Sequence, residues 1–295
     1  TQIVSNGKSI VCLSTSYSGD QFPIPKSHSS SSPTGTVARY ARYKDYHDVI
    51  AKPLKELTAL INDLLGEEPK SKASLWYTDT GPILERDAAQ RAGIGFVGKH
   101  TNLISRDNGN WIFLSEIITR LELEPDLPEP NRCGKCTACI DVCPTQAITA
   151  PFELDARKCI SYLTIELKGA IPKEFRAAIG TRIYGCDDCL EVCPWNRFAR
   201  DGKLMREHHR ADLSEPDLIE LLSLDEQAFR YRFRGTPMFR TKRRGILRNV
   251  CVALGNSADT SALPHLEKAT HDPEPLVVEH AHWAIAQIET RESGN

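Results

Sequence analysis

The sequence predicts three parts: a mixed α/β (α+β) domain over residues 1–121, a cysteine-rich, ferredoxin-like domain over 122–200 and a helical region over 201–295. Three observations carry this prediction. Strand-like and helix-like patterns are mixed up to an acidic, proline-punctuated linker. Eight of the ten cysteines then fall between positions 133 and 193. Beyond these cysteines, apolar residues recur at helical spacing.

Length and composition limit the class of protein. A chain of 295 residues has room for about two domains and a substantial core. The apolar and charged fractions are those of ordinary globular proteins. No apolar run approaches the roughly 20 residues that a membrane helix needs, so we expect no membrane partner. Because the chain begins at Thr1, we expect an N-terminus that lacks part of the natural sequence.

The first domain is predicted from alternating element types. The run Ser9–Ser16 is rich in β-branched residues and predicts a buried strand. Apolar spacing predicts a long helix over 48–65, although Pro53 lies near its start. Further along we predict a strand at 75–78, a helix at 83–92 that Gly93 ends, and a hairpin of strands 101–105 and 111–119 turning at Asp107-Asn-Gly-Asn.

The cysteine spacing gives the strongest signal in the chain. The run from Cys133 to Pro144 reads C-x-x-C-x-x-C-x-x-x-C-P, which is the bacterial ferredoxin spacing for 4Fe–4S clusters. A second run lacks its first cysteine, which a cysteine from a segment folding back would supply. We therefore predict two 4Fe–4S clusters, one held by Cys133, Cys136, Cys139 and Cys193, and the other by Cys143, Cys159, Cys186 and Cys189.

Two other uses of these cysteines are less consistent with the spacing. Zinc sites pair C-x-x-C motifs about 12–20 residues apart, a shorter separation than that between Cys139 and Cys186. A disulfide framework suits short secreted chains. Thiolate ligands favour a reducing compartment, so the sequence predicts a cytoplasmic protein. Cys12 and Cys251 lie in apolar runs and are expected to be structural.

A basic stretch forms the second signal. Residues 230–248 contain eight Lys or Arg and no Asp or Glu, with aromatic residues between them. Such interleaving suits phosphate contacts with base stacking, which favours a nucleic-acid partner. The alternative is a solvated helix face paired with acidic residues elsewhere. The predicted contacts are Arg240, Lys242, Arg243, Arg244 and Arg248.

Asp79 is the best candidate for a catalytic acid, since it follows a predicted strand. Its local sequence nevertheless favours a role as a helix cap ahead of Pro82. Glu85 and Arg86 would form a surface pair on the first turns of that helix. His47 and His100 are candidate ligands or proton carriers, although a single histidine is more often structural.

From about Arg39 onward the chain resembles the epoxyqueuosine reductases, cobalamin- and iron–sulfur-dependent enzymes of tRNA modification. The resemblance rests on these segments: Arg39-Tyr-Ala, Asp45-Tyr-His47, Asp79-Thr-Gly-Pro-Ile-Leu-Glu-Arg86, Gly98-Lys-His100, Cys159-Ile-Ser-Tyr-Leu-Thr-Ile-Glu-Leu, Tyr184-Gly-Cys-Asp-Asp-Cys189, Cys193-Pro-Trp-Asn196 and Arg248-Asn-Val-Cys-Val-Ala-Leu-Gly-Asn256.

The resemblance implies a cobalamin-binding first domain, a two-cluster ferredoxin-like domain and HEAT-like helices that help to grip tRNA. It implies that Asp79 is the proton donor, which reverses the local preference for a cap. The implied cobalamin contacts are Arg42, His47, Asp79, His100, Leu103 and Ser161. The D-x-H-x-x-G cobalamin motif is absent, because Ile50 stands at its glycine position, and this is compatible with cobalt lacking a histidine lower ligand.

The implied reaction reduces epoxyqueuosine to queuosine at the wobble position of a tRNA anticodon stem-loop. Electrons from an external donor would pass through both clusters to cobalamin while Asp79 protonates the departing oxygen. An aspartate with this role is expected to have a raised pKa. We expect a monomer. A dehalogenase-like cobalamin enzyme and a plain two-cluster electron carrier remain as alternatives, and the carrier would need no substrate cavity.

Overall fold

A three-stranded antiparallel sheet forms the base of the first domain in the computed structural model, which describes residues 3–19 and 32–293. Strands β1 (Ser9–Ser16) and β3 (Ser74–Tyr77) flank the central strand β6 (Ile112–Thr119). Both flanking strands run antiparallel to it, with Ser9 opposite Thr119 and Tyr77 opposite Glu116. The predicted strands 9–16 and 75–78 are confirmed, and the antiparallel pairing makes this an α+β arrangement.

The long predicted helix is present as α1 (Tyr46–Leu64). Asp45 caps it by accepting a hydrogen bond from the backbone N–H of His47, which satisfies one of the free donors of the first turn. Pro53 lies inside the helix without ending it. The apolar stripe that includes Ile50 and Leu54 is buried in the core shared with the sheet.

A second, two-stranded sheet replaces the predicted hairpin. Strand β5 (Leu103–Ser105) pairs with β4 (Gly95–Val97), while β6 joins the larger sheet instead. The prediction of a 101–119 hairpin was therefore wrong, although a turn does form where Ser105 and Gly109 bridge. The turn docks on the cysteine-rich segment, because a side chain at Gly109 (φ 64°) would meet the backbone of Asn196 at 3.0 Å. A local turn signal cannot reveal this distant contact.

The cysteine-rich segment consists of short elements around the cysteines. The elements of this segment are α3 (Ala138–Asp141), β7 (Ile148–Ala150), β8 (Glu153–Leu154), the π-helix Tyr162–Glu166 shortly after Cys159, α4 (Lys173–Ile179), β9 (Arg182–Tyr184) and α5 (Asp188–Glu191). Strand β9 pairs in parallel with β2 (Thr36–Val37) of the first domain.

The C-terminal region is helical, as predicted. Its helices are α6 (Lys203–Arg206), α7 (Leu218–Leu222), α8 (Glu226–Phe233), α9 (Lys242–Ser257), α10 (Leu263–Ala269) and α11 (Pro275–Ser293). Helix α9 packs mainly on α11 and is buried from Gly245 to Gly255. Its core also contains Val37 of the first domain and Ile183 of the cysteine-rich segment, so residues from all three predicted parts share one core.

Arg248 holds α9 against the cysteine-rich segment. Its guanidinium is fully buried and donates to the carbonyl oxygens of Leu163 (2.8 Å), Leu167 (2.7 Å) and Gly169 (2.7 Å). Burial lowers its pKa to about 10, but the carbonyl oxygens satisfy its donors. The prediction that Arg248 contacts nucleic acid is therefore wrong, because its charged group does not reach the surface.

No helix among the described residues is both long enough and apolar enough to cross a bilayer.

Candidate active site

One cavity joins the first domain to the cysteine-rich segment. It has a volume of about 450 Å³, within the range of small-molecule and cofactor sites. The loop after β3, the turn before β5 and strand β6 contribute one side, including Asp79 and Phe113. The other side contains Ser161 and four of the predicted cluster ligands, namely Cys143, Cys159, Cys186 and Cys189.

Asp79 lies in a strained loop at this cavity. Its backbone is left-handed (φ 57°), which is uncommon for a residue other than glycine. The carboxylate oxygen Oδ2 accepts a hydrogen bond of 2.5 Å from the hydroxyl of Tyr46 and lies 3.7 Å from Nε2 of His47. Tyr46 and His47 are consecutive residues in the first turn of α1, and both side chains contact Asp79 from there.

The electrostatics of this group favour an ion pair. The His47 contact, aided by the Tyr46 hydroxyl and opposed by burial, lowers the pKa of Asp79 to about 2. Hydrogen bonding to Asp45, whose Oδ1 is 2.7 Å from Nδ1, and the contact with Asp79 raise the pKa of His47 to about 9. The expectation of a raised pKa for Asp79 is therefore wrong. Near neutral pH the proton is on His47 and Asp79 is ionised.

The helix after Asp79 does not use it as a cap. Helix α2 (Glu85–Arg91) begins after Leu84 and has no side-chain cap, so the capping role that local sequence favoured is wrong. Glu85 and Arg86 do not form the predicted surface pair. Instead, Glu85 Oε1 accepts a 2.6 Å hydrogen bond from the backbone N–H of Asp79, and Arg86 donates to the carbonyl of Thr101. Both side chains therefore support the walls of the cavity.

The other predicted cobalamin contacts divide into two groups. His100, Leu103 and Ser161 line the cavity together with Asp79. Burial lowers the pKa of His100 to about 4, so its imidazole is neutral and accepts a hydrogen bond from the Asn102 N–H.

Arg42 and His47 are not among the residues that line the cavity. The Arg42 Nε donates to the carbonyl of Val37 at 2.8 Å, which corrects the prediction of a direct cofactor contact for this residue. His47 reaches the site only through Asp79.

The structure brings the eight cysteines together in the two predicted groups. Cys133, Cys136, Cys139 and Cys193 surround a small cavity below Lys99, and the other four face the large cavity. Helix α3 and the turn after it carry one ligand for each group, Cys139 and Cys143, while α5 and its following turn carry Cys189 and Cys193. Because α3 packs against α5, the two groups are neighbours.

Within residues 3–19 and 32–293, no three Cys, His, Asp or Glu side chains converge as ligands of one metal ion. A 4Fe–4S cluster instead takes each thiolate at a different iron atom. Burial and repulsion by neighbouring thiolates raise the pKa of Cys133 and Cys139, so iron must displace the thiol protons as it binds.

Two supporting residues escaped the sequence reasoning. The Nζ of Lys99 donates to the carbonyls of Gly134 (2.9 Å) and Cys136 (2.8 Å), holding the first cysteine loop. Asn196 accepts hydrogen bonds from the backbone and side chain of Asn110 and donates to Leu190. Both residues lie in segments on which the family resemblance rests, and this was the one indication in the sequence that they support the site.

Half of the cations in the basic stretch form ion pairs with acidic residues outside it. Arg230 pairs with Glu226, Arg232 with Glu220, Arg240 with Glu166 and Arg243 with Asp272. Arg243 is 13% exposed and its guanidinium donates to both carboxylate oxygens of Asp272. The prediction that Arg243 contacts nucleic acid is therefore wrong, because its charge is already paired. For these four of the eight cations, the alternative of pairing with acidic residues elsewhere in the chain therefore applies.

Three of the predicted nucleic-acid contacts remain near the surface. Arg240 has 52% of its side chain exposed and lines both the large cavity and the adjacent basic groove. Lys242 is exposed and Arg244 is half-buried, and both lie along that groove. Phe229 and Phe239 stack in the same groove. A basic surface therefore leads to the mouth of the cavity.

Two four-cysteine groups beside a cavity with an ionised aspartate define an iron–sulfur redox protein. A family model described as a 4Fe–4S double cluster binding domain matches residues 132–196, and one described as "Epoxyqueuosine reductase QueG, DUF1730" matches residues 1–80.

Relatives agree with these matches. An epoxyqueuosine reductase of Xanthomonas campestris is 46% identical over 252 residues, which are 85% of this chain and 70% of the relative. That of Escherichia coli K12 is 43% identical over 259 residues, 87% of this chain and 67% of the relative. The chain belongs to the epoxyqueuosine reductase family, and it spans about two thirds of the length of these curated relatives.

Solved structures of the family share the fold. An epoxyqueuosine reductase with an epoxyqueuosine-modified tRNA-Tyr stem loop is 35% identical, with a TM-score of 0.84 over 97% of this chain and 75% of the other. The enzyme of Streptococcus thermophilus gives 0.86 at 31% identity, over 98% and 75% of the two chains. The enzyme of Bacillus subtilis, solved with a catalytic loop swung out of its active site, gives 0.85 at 35%, over 97% and 75%.

Proposed function

We propose that this chain reduces epoxyqueuosine in tRNA to queuosine, with two 4Fe–4S clusters and cobalamin. The observation that carries the proposal is the single cavity that has Asp79 on one side and four cluster cysteines on the other. Removing the epoxide oxygen as water takes two electrons and two protons. Cluster ligands face the cavity and would pass it both electrons, the protonated histidine beside it would supply one proton, and solvent water would supply the other.

The residues around the cavity fit a cobalamin. Asp79, His100, Leu103 and Ser161 would hold it, and Nδ1 of His100 is already engaged by the Asn102 N–H. Cobalamin supplies a strongly reducing, nucleophilic cobalt when reduced. The thiolates of Cys143, Cys159, Cys186 and Cys189 would place one cluster at the wall of the same cavity.

The residues of the chain manage the proton. Because Asp79 is ionised at rest, the acid is the pair that it forms with His47, and the proton is held at Nε2 of His47 beside Asp79 Oδ2. Asp79 would receive this proton as the epoxide oxygen takes on negative charge, and pass it on. The short hydrogen bond from Tyr46 keeps the carboxylate in position.

The tRNA would lie along the basic groove. Arg240, Lys242 and Arg244 provide cationic groups there, while Arg243 and Arg248 serve the fold. Phosphate contacts in the groove would offset the few kcal/mol needed to splay the wobble nucleotide into the cavity. The helices α9, α10 and α11 would act as the HEAT-like part of this grip.

The electron donor, the compartment and the oligomeric state complete the proposed function. An external donor would deliver electrons to the cluster of Cys133, Cys136, Cys139 and Cys193, whose Cys136 is exposed. We propose a cytoplasmic monomer, since thiolate-held clusters favour a reducing compartment and one chain contributes both sides of the cavity.

An isosteric substitution tests the proposal. Cluster- and cobalamin-loaded protein is incubated anaerobically with a reductant and a stem-loop carrying epoxyqueuosine, and nucleosides are analysed by mass spectrometry. Asp79→Asn should retain both clusters and stem-loop affinity but lose at least about 100-fold in turnover. Asp87→Asn, on the exposed face of α2, is the matched control and should turn over normally. An active Asp79→Asn variant, or a wild type that forms no queuosine, would contradict the proposal.

A further inference from the structure

A second pair of carboxyl groups lies behind Asp79. Glu116 projects from the central strand β6, is 0% exposed and faces Glu85 at the start of α2. Neither carboxyl oxygen of Glu116 has a hydrogen-bond donor in the described part of the chain, and the group beside it on α2 is the carboxyl group of Glu85. A buried carboxylate without a donor is costly, so the site requires an explanation.

A shared proton accounts for this arrangement. Two ionised carboxylates cannot donate to each other, so their contact is a hydrogen bond only when one of them is protonated. Burial and the neighbouring Glu85 raise the pKa of Glu116 to about 8. Near neutral pH the pair therefore holds one proton, as do other carboxyl pairs confined to one site.

Among the described residues, no cation contributes to the pKa shift of Glu116. Cys12 on β1 and Tyr77 on β3 lie opposite it in the sheet. On α2, burial raises the pKa of Glu85, and the Asp79 N–H, the contact with Glu116 and the charge of Arg86 offset only part of that rise. Cys12 has a pKa raised to about 11 by burial and by Glu116, so its thiol is neutral.

Glu85 connects this pair to the catalytic loop. Its Oε1 accepts the backbone N–H of Asp79 at 2.6 Å, and this is the contact that ties the strained residue to α2. Gly81 in the same loop packs so closely on the ring of Tyr77 that a side chain there would meet it at 2.6 Å. The loop is thus held at two points, against Tyr77 of the sheet and against Glu85 of α2, and the second depends on where Glu85 lies.

We propose that Glu116 is a positioning residue for Asp79. By sharing a proton with Glu85, Glu116 holds the Glu85 carboxyl group where that group accepts the Asp79 N–H. This contact keeps the loop closed on the cavity. The inference rests on the proposed function only in naming Asp79 as catalytic. Loss of the shared proton would set two negative charges against each other and release Glu85. The loop would then open.

Hydrogen exchange of the cluster-loaded protein tests this without any substrate. In the wild type, protection of the segment 78–85 should decrease above about pH 8, after correction for intrinsic exchange against the exposed linker 122–129. Glu116→Gln supplies a fixed N–H donor of the same shape, so the segment should stay protected to higher pH. Glu122→Gln, at an exposed carboxylate, is the control and should behave like the wild type.

The pH profile of turnover provides the second readout. In the wild type, kcat/KM should fall by up to about tenfold per pH unit above pH 8. In Glu116→Gln the fall should begin about one unit higher, where His47 loses its proton. A wild-type segment without a step in exchange near pH 8, or the same step in Glu116→Gln, would overturn the proposal. A normal exchange result with no queuosine formed would instead count against the proposed function alone.

Discussion

Replacing Arg248 by methionine should destabilise the protein without acting on tRNA directly. The buried guanidinium serves three backbone carbonyls at 2.7–2.8 Å, and methionine would leave all three without that donor. At about 1–3 kcal/mol for each unsatisfied buried group, the loss is at least about 3 kcal/mol. That is a large fraction of the roughly 5–15 kcal/mol by which a folded protein is stable.

Urea unfolding of the cluster-loaded protein under anaerobic conditions measures this loss. With a slope of about 3 kcal/mol/M, the unfolding midpoint should fall by about 1 M or more. Arg244→Met is the matched control, because Arg244 is half-buried at the basic groove. It should leave the midpoint nearly unchanged but weaken stem-loop binding and reduce the salt slope by about one. An Arg248→Met protein that is as stable as the wild type and binds the stem-loop poorly would refute the structural role.

Three further outcomes follow from the site. Cys139→Ser should lower the iron content from about eight to about four atoms per chain, whereas Cys251→Ser, a buried cysteine outside both groups, should leave it unchanged. Tyr46→Phe removes a charge-assisted hydrogen bond and should raise the pKa of Asp79 by about one to two units, measured by carboxyl NMR titration. The pKa of His47 is raised in the folded protein, so the stability that its protonation contributes is complete below pH 6.5 and is lost as the pH rises through about 9. His47→Gln should abolish the decrease in thermal unfolding temperature over this pH range.

The sequence predicted the elements that rest on local patterns. Strand Ser9–Ser16 has the predicted bounds, and the helix predicted over 48–65 is present as Tyr46–Leu64, because alternation and apolar spacing act over a few residues. The ferredoxin spacing also predicted two groups of cysteines, and two groups of four line separate cavities. The spacing does not mark Cys159, whose place beside the others depends on the fold. The hairpin was not, because β6 gains more by pairing with two distant strands than with β5.

The electrostatics of the site could not be predicted from the sequence. The pKa of Asp79 depends on His47, which is 32 positions earlier and meets it only through the packing of α1 on the sheet. The basic stretch misled for the same reason: acids far away in the chain, such as Asp272 beside Arg243, neutralise charges that have no local partner. Charge density along a sequence therefore overstates the charge that is free at the surface.

The central claim is that cobalamin and one cluster share the cavity beside Asp79. Electron paramagnetic resonance of anaerobic protein loaded with cobalamin tests it most directly, with the cobalt signal recorded before and after reduction of the clusters. We predict that the cobalt(II) signal is lost as the clusters are reduced, because their electrons pass to cobalt and give cobalt(I), which has no such signal. In Cys189→Ser, which removes a ligand at the cavity wall, the cobalt(II) signal should persist. A cobalt signal indifferent to cluster reduction in the wild type, or lost equally in Cys189→Ser, would contradict this claim.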